Sequence, residues 1–180
     1  EQGSLVQTGN ELDIGIEGKG FFQVMRPNGQ IAYTRGGDFK LDADGRIVTP
    51  DGLLLEPQLT VPEDTVALEI SSDGVVSAIQ QGSPDPIRIG QIELANFINP
   101  AGLLSLGRNM YAQTAASGDP ISSVPGEDGL GTLGQGFLEQ SNVKVVDEMV
   151  GMITGQRAYE MSSKAIQASD QMLRTVSQLR

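Results

Sequence analysis

The last part of the sequence, residues 142–180, carries apolar side chains at a spacing that an α-helix arranges into continuous stripes. It contains no proline and only two glycines, so we expect one uninterrupted helix of roughly 57 Å. The first stripe, interrupted at Arg157, consists of Val146, Val150, Ile153, Met161, Ala165, Ala168, Met172, Val176 and Leu179. The second stripe consists of Val145, Met149, Met152, Tyr159, Ile166 and Leu173.

The spacing of the first stripe indicates how this helix packs. From Val146 to Leu179 it advances 33 residues in nine steps, or about 3.67 per step, which fits a nearly straight helix better than the 3.5 of a left-handed coiled coil. Two stripes on neighbouring faces require partners on more than one side. A domain of this size is only about 30 Å across and cannot cover the whole helix. We therefore predict that the helix is an assembly element buried by other chains.

Two further features of the helix are candidates for contacts in such an assembly. Gly151 and Gly155 either permit close approach of a neighbouring backbone or are mild flaws that cost about 1 kcal/mol each. Arg157 either lies on a solvated face or is paired inside the assembly, which we favour because a charge at a seam needs a partner. The predicted assembly residues are Val146, Met149, Val150, Gly151, Ile153, Gly155, Gln156, Arg157, Tyr159, Met161, Ala165, Ile166, Met172, Leu173, Val176 and Leu179.

Composition changes abruptly where this helix is expected to begin. All nine prolines and 21 of the 23 glycines lie in residues 1–141. The net charge of the whole chain is −11, and residues 142–180 contribute +1 of it, which leaves −12 on the preceding part. The sequence therefore predicts two domains, a body over residues 1–141 and a helix over residues 142–180.

The body reads as β structure because turn-forming pairs divide it into short alternating segments. These pairs are Asn28-Gly29, Asp44-Gly45, Asp51-Gly52, Asp73-Gly74 and Asp128-Gly129, which favour type I′ hairpin turns. The predicted hairpins join 20–26 with 30–35, 39–41 with 46–49, and 66–71 with 75–79; 87–94 alternates as one strand, and 101–106 is a short turn. Residues 116–132 are predicted to be a surface loop. The fold class is mainly β, with an antiparallel barrel-like or sandwich-like body followed by one long C-terminal helix.

Composition also excludes several classes of site. The chain has no cysteine and no histidine, so it lacks the usual ligands of zinc, haem and iron–sulfur centres and cannot form Ser-His-Asp or Cys-His catalytic groups. Its acidity argues against nucleic acid, and no apolar run is long enough to insert into a membrane. We expect no cofactor and no metal. The first residues contain neither an initiator methionine nor a signal peptide, so a fragment or processed form is expected.

Three motifs could carry chemistry, but each has a simpler explanation. Residues 42–45 resemble the start of a calcium loop but lack the required spacing, so a hairpin turn is expected. The glycine-rich segment 15–20 precedes a strand rather than a helix, which indicates a bend. Carboxylates suited to glycoside hydrolysis could be drawn from Asp38, Asp42, Asp44 and Asp51. In a chain with 23 acidic residues such proximity is expected by chance.

Several segments, taken together and in order, resemble the flagellar rod and hook family of axial proteins. They are residues 13–24, 33–39, 44–49, 134–143 and 156–160, which read DIGIEGKGFFQV, YTRGGDF, DGRIVT, GQGFLEQSNV and QRAYE. The compact body and the segment 135–143 are most similar to the distal-rod branch of the family. A hook subunit usually has a much larger body.

The resemblance implies a non-enzymatic subunit that polymerises into a hollow helical tube crossing the periplasm after export by the flagellar type III apparatus. Its inner layer would consist of N- and C-terminal helices, with the β domain outside. The implied partners are further copies of the chain, proximal rod and hook subunits, and the surrounding P-ring and L-ring proteins.

Other functions remain open from the residues alone. A proximal rod or hook subunit would share the same family segments. A cell-wall carbohydrate-binding or hydrolytic module would use Asp42 or Asp44. A secreted adhesin with a trimeric stalk would need a 3.5-residue repeat in its helix.

Overall fold

The computed structural model describes residues 2–82, 85–142 and 145–178. The chain divides into two compact units, Glu1–Ser141 and Asn142–Arg180. The strands, in chain order, are β1 (Leu5–Gln7), β2 (Ile14–Glu17), β3 (Phe21–Met25), β4 (Ile31–Thr34), β5 (Lys40–Leu41), β6 (Ile47–Val48), β7 (Leu54–Glu56), β8 (Thr65–Ile70), β9 (Val75–Gln80), β10 (Ile87–Gln91), β11 (Leu94–Asn96), β12 (Leu104–Gly107), β13 (Met110–Ala112), β14 (Ile121–Ser123), β15 (Thr132–Gln135) and β16 (Phe137–Glu139). A 3-10 helix spans Pro100–Gly102, and the second unit contains the helix α1 (Val145–Gln178).

The strands of the first unit form open antiparallel sheets. A nine-stranded sheet has the order β12-β13-β4-β3-β7-β6-β5, with β11 joined to both β3 and β14. A three-stranded sheet has the order β10-β9-β8, and two smaller pairs are β2 with β15 and β1 with β16. The predicted fold class, a mainly β body followed by one C-terminal helix, is confirmed. Of the two alternatives for the body, the open sheets match the sandwich-like one.

The three hairpins predicted from the sequence are present. Strand β3 pairs with β4, β5 with β6, and β8 with β9. In each, an Asx-Gly pair lies between two short alternating segments, so the pairing follows from local sequence. Residues 15–17 of the glycine-rich segment belong to β2, and the expected bend is confined to residues 18–20 before β3. Residues 42–45 form the turn between β5 and β6, as expected.

The type of turn differs from the prediction in four of the five Asx-Gly pairs. A type I′ turn needs positive φ at both central residues, but in the first four pairs only the glycine has it, with φ between 74° and 84°. In each, the glycine N–H donates to the carbonyl three residues earlier, which is a type I turn followed by a left-handed glycine. The pair Asp128-Gly129 is the exception, with φ of 50° and 74°. The left-handed conformation of these four glycines therefore sets the register of the hairpins.

Two segments were predicted incorrectly. Residues 87–94 are not one strand, because β10 ends at Gln91 in the three-stranded sheet and β11 begins at Leu94 in the large sheet. A bulge between Arg88 and Gly90 starts this departure. Residues 116–132 are not a loop throughout, because β14 pairs with β11 within them. The short turn predicted around 101–106 is present at its start as a 3-10 helix over Pro100–Gly102, and strand β12 follows from Leu104.

The main hydrophobic core lies between the β2–β15 pair, the three-stranded sheet and one end of the large sheet. Phe22 and Phe39 are fully buried at its centre, with their rings edge to face and centroids 5.1 Å apart. Gly37 lies beside them, and its carbonyl accepts the Ile14 N–H at 2.9 Å. The remaining core residues are Ile14, Ile16, Ile47, Leu55, Leu59, Val61, Leu68, Ile70, Val76, Ala78, Ile92, Leu94, Leu130 and Leu133.

Hydrogen bonds of the Gln135 side-chain amide join the three-stranded sheet to the β2–β15 pair. The Gln135 Oε1 atom accepts the Ile70 N–H, and its Nε2 donates to the carbonyls of Leu68 and Glu11. The Glu11 carboxylate in turn accepts the Leu68 N–H at 3.0 Å. β8 is an edge strand, and these hydrogen bonds occupy its outer edge. Without them the edge would be open to pairing with another strand.

Within the described residues, no helix combines the length and apolar composition that a membrane span requires.

The β5–β6 turn is expected to respond to pH through Asp42. Its carboxylate accepts the backbone N–H of Arg46 at 2.8 Å and that of Asp44 at 2.9 Å, and it also pairs with the Arg46 guanidinium. The Arg46 backbone N–H is the main cause that lowers the pKa of Asp42, and the guanidinium lowers it further. Because the folded turn favours the charged carboxylate, which lowers its pKa, the turn is most stable above the pKa of unfolded aspartate. That contribution is lost as the pH falls through the lowered value.

Carbon-detected NMR titration of Arg46→Gln checks this prediction. The pKa of Asp42 should rise but stay below its ordinary range, because the two backbone donors remain. The Asp73 carboxyl, whose pKa is lowered chiefly by the Ser71 hydroxyl, serves as the internal reference and should not move. An unchanged Asp42 midpoint would contradict the assignment of the guanidinium.

Candidate functional site

Helix α1 exposes a large amount of apolar surface. It runs for 34 residues, roughly 51 Å at the ordinary helical rise. Burying one large apolar side chain contributes roughly 1.5–3 kcal/mol, so leaving many in water is unfavourable. The exposed apolar residues, with between 49% and 78% of their surface accessible, are Met149, Val150, Met152, Ile153, Tyr159, Met161 and Ile166. This surface is the best candidate for a functional site in the described part of the chain.

The structure places the predicted assembly residues up to Val176 on this one helix. Gln156, Arg157 and Ala165 are exposed together with the apolar set. At Gly151 and Gly155 an added Cβ would meet no atom within 4 Å, so both positions are open to a neighbour. The side chains of Val146, Met172, Leu173 and Val176 are not described, and Leu179 lies outside the described residues.

Two hydroxyl groups on α1 are satisfied by the helix itself. Ser162 Oγ donates to the Ala158 carbonyl at 2.9 Å, and Thr154 Oγ1 donates to the Val150 carbonyl. A hydroxyl that is bonded internally does not need water as a partner. Both positions can therefore be buried against another chain without leaving an unsatisfied polar group.

The strand that precedes α1 in the sequence, β16, belongs to a two-stranded ribbon. In this terminal ribbon, β1 pairs antiparallel with β16, with Leu5 opposite Glu139 and Gln7 opposite Phe137. In the described part of the chain neither strand pairs with any other. Backbone bonds from Thr8 N to Gly136 O, 2.8 Å, and from Gly136 N to Asp13 O, 2.7 Å, attach one end of the ribbon to the body.

The other end of the ribbon is held by one arginine. Arg35 Nη1 donates to the carbonyls of Gly18 and Gly20, both at 2.8 Å. Its Nε and Nη2 donate to Glu139 Oε2 at 2.9 and 2.6 Å. Glu139 Oε1 accepts the Gly3 N–H at 2.8 Å. We call Gly3, Gly18, Gly20, Arg35 and Glu139 the Arg35 cluster. It joins the residue after β4 and the β2–β3 bend to both chain segments at this one end of the ribbon.

Sequence reasoning did not find the Arg35 cluster. Arg35 and Glu139 both fall in segments that carry the family resemblance. They are 104 residues apart, however, and no local pattern pairs them. The only available indication was an arginine between a strand and two glycines, which many turns contain.

The acidic residues considered for hydrolysis are used in turns. Asp42 and Asp44 both pair with Arg46, at 2.8 Å each, and Asp51 pairs with Arg108 at 2.5 Å. A groove of about 550 Å³ passes Asp42 and Glu11, and the Glu11 carboxylate accepts a backbone N–H there. No group of three or more acidic residues in the described part of the chain is arranged to hold a metal. Asp42, Asp44 and Asp51 are thus each paired with an arginine. Asp38 lines a second pocket of about 270 Å³ together with Asp51 and Arg108.

The sequence matches two known families over most of its length. Residues 15–78 match the flagellar hook protein FlgE/F/G D1 domain, and residues 135–179 match the flagellar basal body rod FlgEFG protein C-terminal region. A flagellar basal-body rod protein FlgG of Buchnera aphidicola is 51% identical over 178 residues, which covers 99% of this chain and 68% of the relative. The chain belongs to the flagellar rod and hook family. It is a structural subunit of the flagellar rod.

Two further relatives agree with this assignment. The rod protein FlgG of Caulobacter vibrioides is 47% identical over 180 residues, covering 100% of this chain and 69% of the relative. The hook protein FlgE of Salmonella typhimurium is 40% identical over 119 residues, covering 66% of this chain and 29% of the hook protein. The likeness to the rod proteins is thus both greater and more extensive than the likeness to the hook protein, which confirms the resemblance to the rod branch.

Proposed function

We propose that this subunit belongs to the distal rod and polymerises through α1 into a hollow helical shaft that transmits torque from the motor to the hook. The observation that carries the proposal is the exposed apolar surface of α1 between Met149 and Ile166, on a 34-residue helix that is longer, at roughly 51 Å, than a small domain is wide. Torque would pass through the side-by-side packing of such helices. The β body would stiffen the outer wall.

The proposal includes the assembly residues of α1. It also assigns assembly to residues 142–180 and the outer wall to residues 1–141. The exposed side chains between Met149 and Ile166 support it because they belong to both predicted stripes. Arg157 would be paired with an acidic group of a neighbouring subunit, since a guanidinium buried at a seam is costly without one. Gly151 and Gly155 would receive a neighbouring backbone.

The partners and the location follow from the same proposal. Related proximal rod and hook subunits would join the shaft at its two ends. P-ring and L-ring proteins would surround it where it crosses the periplasm, and export would use the flagellar type III apparatus. A compact body favours a distal rod subunit over a hook subunit.

A catalytic role in the cell wall is the competing hypothesis, and the family assignment argues against it. Its best residues, Asp42 and Asp44, are paired with Arg46. Activity on peptidoglycan by the full chain, lost in Asp42→Asn, would support the competitor.

Cryo-electron microscopy of the assembled axis tests the proposed function directly. Residues 145–178 should lie in the inner layer and contact the same helix of several neighbours. The β body should lie outside this layer. A map in which α1 faces solvent would overturn the proposal.

Replacing Gly155 with alanine tests whether a neighbouring backbone approaches the helix there. In the unassembled chain the change should stabilise α1 by about 1 kcal/mol, because alanine is the better helix former. If a backbone packs against this face, the added methyl should instead weaken assembly about tenfold. Circular dichroism measures the first effect, and sedimentation of the polymer measures the second. Stronger assembly in the variant would contradict close packing at Gly155.

A further inference from the structure

Force on α1 enters the first unit along the chain through the terminal ribbon, because β16 is the strand that precedes the helix. A two-stranded ribbon alone is only marginally stable in water. Its resistance to force therefore depends on how it is attached to the larger sheets. Glu139 is the last residue of β16 and thus the strand residue nearest to α1 in the sequence. Among the attachments of the ribbon to the larger sheets, the one at Glu139 is therefore loaded first.

The Arg35 cluster makes this attachment with little freedom to adjust. The carbonyls that Arg35 binds belong to Gly18 and Gly20, whose φ values of 118° and 131° suit glycine. The bend is also closely packed, because a Cβ on Gly18 would lie 2.9 Å from the Cα of Gly131. The conformation and packing of the bend thus hold the two acceptor carbonyls in place without help from Arg35.

The chemistry of the cluster requires arginine. One planar guanidinium binds two carbonyls through Nη1 and the carboxylate through Nε and Nη2. A lysine ammonium is a compact charge and cannot keep this fork geometry. The side chains of Arg35 and Glu139 are only 21% and 12% exposed, so water competes weakly for the pair.

We propose that Arg35 is the positioning residue that fixes the α1 end of the terminal ribbon to the β body. It directs force from the helix across β4 and the β2–β3 bend instead of letting β16 peel away. This inference rests on the proposed shaft function for its biological meaning. Its physical content, an anchor at Glu139, concerns the single chain and can be tested without assembly.

Hydrogen exchange of the full chain in its unassembled form tests the anchor. In Arg35→Lys and in Glu139→Gln, the amides of Gly3 and Gln140 at the ribbon end should exchange ten- to hundredfold faster. The amide of Val24, in the middle of the large sheet, should change less than twofold. Arg46→Lys is the matched control, since it alters an arginine with two carboxylate partners away from the ribbon. It should leave the ribbon amides unchanged.

The pattern of exchange separates positioning from general stability. Equal acceleration at Gly3, Gln140 and Val24 would mean that Arg35 only stabilises the whole body, and unchanged ribbon amides would mean that Glu139 is not an anchor. Either result overturns the inference.

A mechanical measurement gives an independent check. Because the natural chain has no cysteine, Asn28→Cys and Asn142→Cys provide unique handles for optical tweezers. Arg35→Lys should introduce an early opening step at lower force that the parent chain lacks, and the absence of this step would count against the anchor. Failure of the shaft function would leave both measurements intact.

Discussion

Replacing Ile153 with aspartate should abolish polymer formation and motility while leaving the β body folded. Ile153 is 49% exposed in the single chain and lies in the first stripe of α1, so the proposed assembly buries it. An unpaired charge in an apolar interface costs several kcal/mol, and every subunit of the polymer would carry this cost. We expect the concentration needed for assembly to rise at least a hundredfold, which corresponds to about 2.7 kcal/mol.

Gln167→Asp is the matched control for this variant. Gln167 is exposed on the same helix but belongs to neither stripe, so the same new charge should have little effect on assembly. Analytical ultracentrifugation measures polymer formation, and spreading in soft agar measures motility. Near-ultraviolet circular dichroism shows whether the body stays folded. Normal motility of the Ile153→Asp strain would refute the assembly surface.

Replacing Gly37 with alanine should destabilise the β body severely. An added Cβ would lie 1.8 Å from the carbonyl oxygen of Ile14 and 3.3 Å from the ring of Phe22. Relief would require breaking the bond between Ile14 N and Gly37 O and moving β2 in the main core. Overpacking and the lost hydrogen bond together should cost at least about 3 kcal/mol. That is a large part of the stability of an ordinary domain.

The neighbouring glycine provides the control. A Cβ on Gly36 would meet only side-chain atoms, Asp38 Oδ1 at 3.3 Å and Thr34 Oγ1 at 3.4 Å, which can shift. Gly36→Ala should therefore change the free energy of unfolding by no more than about 1 kcal/mol. Urea denaturation followed by circular dichroism compares the two variants. Equal loss of stability in both would show that the backbone of β2 can move away from Gly37.

Features that depend on neighbouring residues could be predicted from the sequence. The hairpins β3–β4, β5–β6 and β8–β9 follow from alternating segments around an Asx-Gly pair, and α1 follows from its helical spacing and the lack of proline. The carboxylate turn at Asp42 was also predictable, because its partner Arg46 is only four residues away.

Features that depend on distant residues could not be predicted. The β2–β15 pair and the terminal ribbon join residues that are far apart in the chain, and period-two alternation does not say which strands meet. The run 87–94 was predicted as one strand although its apolar residues change from odd to even positions between Ile89 and Ile92. At this point Ile92 donates its N–H to the Gly74 carbonyl, outside any strand. A Cβ on Gly90 would also meet Leu59 at 2.4 Å. The assembly residues of α1 stay a prediction, since their partners are other chains.

The terminal ribbon also bears on how such subunits could diversify. Because β1 and β16 are paired, the first and last strands of the β unit lie next to each other. Segments between these two strands can be lengthened or exchanged without changing the position of the β1–β16 pair. The hook protein of Salmonella typhimurium matches 66% of this chain but only 29% of its own length, as expected if extra material is inserted into a shared frame. If α1 forms the proposed inner layer, tubes of different thickness could share that layer.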